Sequence, residues 1–299
     1  MKPVKNISKI TPPRLHQIIK RPRLFESLEE NNDKRLILIM GQAAQGKSTL
    51  AASYIEQFTT TPAAWINLRK DDSDPVNLFF STVYALQYTF KGIDLSPLLT
   101  YPSISLGPRL EKPLYREWAN AIFECIQDPV KIVLDGLDRL TPKAPSYGFL
   151  QVMLEELPQH FHFLMLTRNM PDLDIQGLKI KREAHALTNS ELAFNQKEIK
   201  AFFKETRGMS LRSEQIKRIH TFTEGWIGGL ILLSETLERL PEEAREKYVL
   251  EEIPDQFRRE VFQYFGEEIL SSHPALLQEF LIKSSIFDIV DPDFMNDLV

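Results

Sequence analysis

Residues 41–48 read Gly41-Gln42-Ala43-Ala44-Gln45-Gly46-Lys47-Ser48, two glycines four residues apart followed by a lysine and a hydroxyl. This is the G-x-x-x-x-G-K-[ST] pattern of a phosphate-binding loop. Glycines let a backbone curl around phosphate oxygens with its N–H groups turned inward. Lys47 would then reach the β- and γ-phosphates, and Ser48 would hold Mg²⁺. Thr49 adds a hydroxyl for the α-phosphate. An apolar run precedes the loop and a helix-forming stretch follows it, which is the context the chemistry needs.

A second site element is Val130–Leu140, VKIVLDGLDRL. An apolar strand ending in Asp135 would set a carboxylate beside the phosphate loop, where it can bind Mg²⁺ directly or through water. Asp138, three residues on, is a candidate to orient the attacking water. A third element is Leu166-Thr167-Arg168-Asn169, at the end of the next strand. Ligands of open parallel sheets bind at the carboxyl ends of the strands, so Arg168 could sense a γ-phosphate. The turn Glu224-Gly225-Trp226-Ile227-Gly228-Gly229-Leu230 reads first as tight helix packing. The histidines show no metal-ligand spacing; His160 and His162 read as packing residues. The single cysteine, Cys125, lies in an apolar stretch and reads as an inert thiol.

These residues need a scaffold, and the hydrophobic pattern supplies one. Apolar runs at 35–40, 63–68, 130–134 and 161–167 read as buried strands, with 178–181 as a fifth. Helical stretches lie between them, at 24–33, 47–58, 75–90, 114–127 and 147–157. Asp74 and Pro75 form a start signal for the third of these. Residues 91–113, with Pro97, Pro102, Pro108 and Pro113, read as an irregular connection. The expected fold is α/β, a parallel sheet covered on both faces. The alternation stops near residue 185. Helices are then expected at 195–204, 213–222, 228–239, 244–250, 255–271 and 274–284. The expected domains are 1–185, nucleotide-binding with an N-terminal arm; 186–250, helical; and 251–299, the start of a winged helix. Residues 291–299 begin an element that they do not finish, so the natural protein is expected to continue.

The 299 residues carry a net charge of −5. An acidic balance disfavours non-specific binding of nucleic acid, and no direct nucleic-acid contact is expected of this segment. Residues 1–25 are a local exception: Lys2, Lys5, Lys9, Arg14, Lys20, Arg21 and Arg23 stand there without one acid. They form either a solvated basic arm or one lying near a polyphosphate or an acidic partner. No apolar run is long enough to span a membrane. One cysteine excludes an internal disulfide framework, and the expected compartment is the reducing cytoplasm.

Taken in order, these segments resemble the STAND class of signal-transduction ATPases, most closely its MalT-like branch. Ile19–Leu24 resembles the entry motif of that class. Trp65-Ile66-Asn67-Leu68 with Asp74-Pro75 is similar to its second-strand signature. Leu134–Asp138 resembles the acidic strand end of the related NACHT ATPases, with Gly136 standing where close relatives carry a second acid. Leu166-Thr167-Arg168 resembles the arginine sensor, and Leu192-Ala193-Phe194 and Gly225–Leu230 the start and the nucleotide-facing turn of the helical domain. Tyr264–Phe287 resembles the opening of the winged helix. The resemblance implies adenine contacts by Arg21, Pro22 and Arg23 and, more loosely, by Trp226 and Gly228. It implies ADP in a monomeric resting state, exchange to ATP with Mg²⁺ on induction, self-association, and slow hydrolysis as reset. The inducer would be read by a C-terminal sensor outside this segment. The residues alone leave adenine against guanine open. They also leave two other readings open, a small-molecule phosphotransferase and a non-hydrolysing scaffold.

Overall fold

The structure is a computed structural model that describes residues 6–16, 18–103, 111–250, 261, 263–264, 266, 270 and 274–284. The chain divides into two compact units, Met1–Ala193 and Phe194–Val299.

The first unit is an α/β layer structure. Five strands, β1 (Leu36–Met40), β2 (Ala63–Asn67), β3 (Val130–Asp135), β4 (Phe161–Thr167) and β5 (Ala184–Leu187), form one sheet in the order β2-β3-β4-β1-β5. Every neighbouring pair is parallel. Side chains alternate across a strand, and both faces here are buried. Leu36 and Leu38 enter the larger core, while Ile37 and Ile39 enter the smaller one. That double burial is why the strands are continuous apolar runs.

Helices α1 (Pro22–Glu29), α2 (Lys47–Gln57), α3 (Pro75–Thr89), α4 (Glu111–Cys125), α5 (Pro145–Glu156), α6 (Ile175–Ile180) and α7 (Asn189–Leu192) complete this unit. The Asp74 carboxylate caps α3 by accepting from the Val76 N–H at 2.8 Å. Under the larger core face, Phe79, Trp118 and Phe149 stack edge-on and tilted, with centroids 5.2–6.2 Å apart. Such contacts add to the area they bury.

Three expectations are corrected. Residues 178–181 are not a strand. Asp174 caps a short helix by accepting from the Gly177 N–H, and Ile175 and Leu178 bury one face at helical spacing. The fifth strand is instead Ala184–Leu187. Around Lys9, between Ser8 and Thr11, the basic N-terminal segment is not a solvated arm. Lys9 forms a 2.7 Å ion pair with the fully buried Asp72. Asn67 donates to the carbonyls of Ser8 and Thr11, so residues 8–11 are pinned along the end of β2. The first helix also starts earlier than expected, because Pro22 suits the first helical turn.

Within the second unit, α8 (Gln196–Arg207), α9 (Ser213–Thr223), α10 (Ile227–Arg239), α11 (Glu242–Leu250) and α12 (Ala275–Ser284) are helical. Asn195 and Glu198 form a reciprocal capping box on α8. Most of the expected helix 255–271, a smaller part of Tyr264–Phe287 and all of residues 291–299 lie outside the described residues.

Candidate functional site

The carboxyl ends of β1, β3 and β4 open into a cleft of about 250 Å³. Its floor is the loop after β1. Ala44 and Gly46 both have positive φ, +51° and +80°, with Gln45 between them. Such alternation curls a backbone into a nest for an anion. Gly46 ends the loop and α2 begins at Lys47, so the cleft meets a helix N-terminus of eleven residues. Gly41 is tightly approached: a Cβ there would lie 2.8 Å from Leu192 Cδ1. The Gln42 N–H donates to Asn189 Oδ1 at 3.2 Å. The loop is therefore braced from the far end of the same unit.

Lys47 is half-buried and donates to the carbonyls of Gly41 and Gln42 at 2.6 and 2.8 Å. Burial pulls its ammonium below the ordinary lysine range, and Asp138 is the strongest opposing influence. Asp135 ends β3 and is 8% exposed. Burial raises its carboxyl above the ordinary range, against a hydrogen bond from Ser48 and the nearby Arg139 and Lys47 charges. Asp138 lies in a 3-10 turn (Leu137–Arg139) reached through Gly136 at φ +84°. It accepts from the Arg168 N–H at 3.0 Å, and its other oxygen is 3.4 Å from Arg168 Nε.

Residues Ala43 to Thr49, Asp135, Asp138 and Arg168 thus line one cleft. Gly41 and Gln42 are not among the cleft-lining residues; their carbonyls accept from Lys47. Arg139 also lines it, and the sequence reading missed that residue. Its guanidinium reaches back to the Leu68 carbonyl at 3.2 Å, tying β2 to the turn after β3. The signal available was the arginine directly after Asp138.

Arg21, Pro22 and Arg23 are not among the cleft-lining residues. Arg21 donates to the carbonyls of Leu192 and Ala193, and Arg23 to those of Glu191 and Ala193. Both guanidinium groups thus cap the carboxyl end of α7, where a cation is favoured. Trp226 and Gly228 belong to the second unit. There Trp226 packs against Tyr264 with centroids 5.7 Å apart, and Gly229 faces the indole. Gly225, at φ +75°, abuts the Phe194 backbone, where a Cβ has no room.

Ser48 and Asp135 offer a hydroxyl and a carboxylate already in hydrogen-bond contact. These are hard oxygen donors, and Mg²⁺ takes one or two protein ligands of this kind beside phosphates and water. Among the described residues no group of three or more His, Cys, Asp or Glu could hold a metal. His160 and His162 instead bond the carbonyls of Ile126 and Lys34. Cys125 is part-buried, and burial pushes its thiol up. No helix among the described residues is long and apolar enough to cross a membrane.

Residues 15–168 match the family Nephrocystin 3, N-terminal. Over 287 residues, 94% of the chain, it is 24% identical to the HTH-type transcriptional regulator MalT of Vibrio parahaemolyticus and, equally, to that of Vibrio campbellii. The chain spans 30% of the length of those relatives. A STAND protein with a tetratricopeptide repeat sensor from Pyrococcus horikoshii has a similar fold. Its TM-score is 0.56 at 16% identity, over 95% of this chain and 37% of that one.

Proposed function

Because this chain belongs to the Nephrocystin 3, N-terminal family and is a MalT-like P-loop NTPase of the STAND class, we propose that it is an adenine-nucleotide switch. In this reading it rests with ADP, is activated by ATP with Mg²⁺, self-associates, and resets by slow hydrolysis. The observation that carries it is the Asp138–Arg168 pair inside the phosphate cleft.

Lys47 and the loop backbone hold the phosphates, and Thr49 adds a hydroxyl at the α-phosphate side. Ser48 and Asp135 are the residues that would hold Mg²⁺, which supplies charge neutralisation across the phosphate oxygens. With a diphosphate, Arg168 stays on Asp138. A third phosphate competes for the guanidinium, which leaves Asp138 able to face and orient water. One ligand difference therefore rearranges a charged pair that spans the ends of β3 and β4. The nucleotide shifts the equilibrium only by its differential affinity for the two arrangements. Arg21, Pro22 and Arg23 are assigned to the adenine side. The MalT relatives are named transcriptional regulators; regulation of transcription, an inducer read by a further C-terminal domain and a cytoplasmic setting are the remaining parts of this proposal.

The first test is to denature purified protein and identify the released nucleotide by chromatography. Near-stoichiometric ADP is expected, with turnover well below the typical enzyme scale of about 10 s⁻¹. An empty protein that turns ATP over rapidly without any effector would overturn the switch. In a second test, Arg168→Ala should weaken ATP binding more than ADP binding; equal losses would remove the sensor role.

A further inference from the structure

The opposite edge of the same sheet has a second cleft, of about 620 Å³. It lies at the amino ends of the strands, where parallel sheets do not ordinarily bind ligands. All five strand starts contribute, from Lys34 and Arg35 before β1 to Glu183 before β5.

Lys131 is its unusual member. It is the second residue of β3, only 5% exposed, and lines the cleft. Among the described residues its ammonium makes no hydrogen bond and no ion pair. A buried ammonium is costly unless it is paired, and burial lowers its pKa. Glu29 is the carboxylate whose charge it senses, but the Glu29 oxygens already take Tyr54 Oη at 2.8 Å and Asn32 Nδ2 at 2.6 Å. His162 is the cross-strand neighbour of Lys131. Its Nδ1–H donates to the Lys34 carbonyl at 2.9 Å, leaving Nε2 uncommitted. Arg182 stands exposed at the rim, also without a side-chain partner among the described residues. The remaining charges are matched: Lys34 with Asp33 at 3.7 Å, and Arg35 with Glu183 at 3.4 Å.

Two uncompensated cations therefore share one cleft with an uncommitted imidazole nitrogen. We propose that this cleft binds a small phosphate monoester, its phosphate held between Lys131 and Arg182 with His162 beside it. A phosphate monoester carries about −1.5 to −2 charge near neutral pH, which matches two cations better than a single carboxylate does. Arginine adds a planar fork for two phosphate oxygens and lysine a compact point charge. The cleft volume leaves room for a polar body on the phosphate. This inference is independent of the nucleotide switch, since the two clefts share no lining residue.

Glycerol 3-phosphate is the probe, titrated calorimetrically into the whole chain carrying Lys47→Ala, which silences the phosphate loop. Sodium chloride holds the ionic strength constant. Saturable binding is expected, weakened about tenfold by Lys131→Met and by Arg182→Ala, the loss of one charge-assisted contact each. Arg182→Ala changes an exposed side chain, so it decides the matter if Lys131→Met fails to fold. No saturable binding, or affinity unchanged in Arg182→Ala, overturns the site. Succinate binding as tightly as glycerol 3-phosphate overturns the phosphate assignment.

Discussion

Two adjacent strands each lead into an aspartate buried near their carboxyl ends, and the two carboxylates have opposite fates. Asp72, in the 3-10 turn Lys70–Ser73 after β2, is fully buried and takes three donors. It takes Lys9 Nζ at 2.7 Å, Ser81 Oγ at 3.0 Å and the Arg69 N–H at 2.8 Å, and the Ser146 hydroxyl donates to its carbonyl. Asp135, at the end of β3, meets Ser48 and faces an open cleft. A carboxylate whose two oxygens are both held by buried donors is a structural pin. One with spare capacity beside a hydroxyl, a lysine and a nest of backbone is a ligand site. Burial alone does not separate them; the state of the remaining lone pairs does.

The largest effect should come from Asp72→Ala. It leaves the Arg69 N–H unpaired and a nearly buried ammonium with only the exposed Asp71 carboxylate, 3.8 Å away, and breaking a buried pair from one side costs about 3–5 kcal/mol. Chemical denaturation should show that loss, while the folded fraction keeps its nucleotide affinity. A stable Asp72→Ala protein with lost nucleotide binding would reverse the roles assigned to the two aspartates. Lys47→Ala should do the opposite. Binding measured by calorimetry should fall about 100-fold or more, since charge-assisted contacts to two phosphates are lost. Stability should change little.

Asp135→Asn sharpens the contrast further. The amide keeps the shape, so affinity for the Mg²⁺–nucleotide complex should drop about tenfold, with little change when Mg²⁺ is absent. The pH dependence of stability has a defined sign. The folded pKa of Asp135 is raised, so the folded state holds this proton more tightly than the unfolded chain does. Stability from this group is complete below the unfolded value of about 3.9 and is lost as pH rises through the folded one. Asp135→Asn should remove that loss, so the variant should gain on wild type as pH rises through the acid range. A gain running toward lower pH would refute the burial argument.

Much of this was legible in the sequence, for identifiable reasons. Strands buried on both faces are continuous apolar runs, so β1 to β4 stood out. A phosphate loop is local, so Gly41 to Ser48 declared themselves by spacing. The α6–β5 stretch was misread because LKIK alternates like a strand, whereas Asp174 capping and the Ile175–Leu178 spacing make it helical. β5 itself is short and carries only alanines, one histidine and one leucine. The Lys9–Asp72 pair joins residues 63 apart, and no local pattern encodes such a contact. Lys131 was hidden inside an apolar run, where its only sign was being charged. Arg139 needed the turn geometry of Gly136 before it could be placed.

That turn supplies the smallest contrast. Gly136 and Gly208 both hold positive φ, at +84° and +64°. Alanine in this conformation costs about 1 kcal/mol at either position. Their surroundings differ. A Cβ on Gly208 meets nothing within 4 Å, while one on Gly136 would lie 2.9 Å from Arg139 Nε. Because the guanidinium is the far end of a flexible side chain, it can yield, but only by leaving the cleft and the Leu68 carbonyl it holds. Gly136→Ala and Gly208→Ala should therefore lose similar stability in thermal unfolding. Only Gly136→Ala should also weaken nucleotide binding, by a factor of about three to ten for one contact to an ionised group. Equal loss of binding in both variants would mean that stability, not the placement of Arg139, sets the affinity. No loss in either would take Arg139 out of the site.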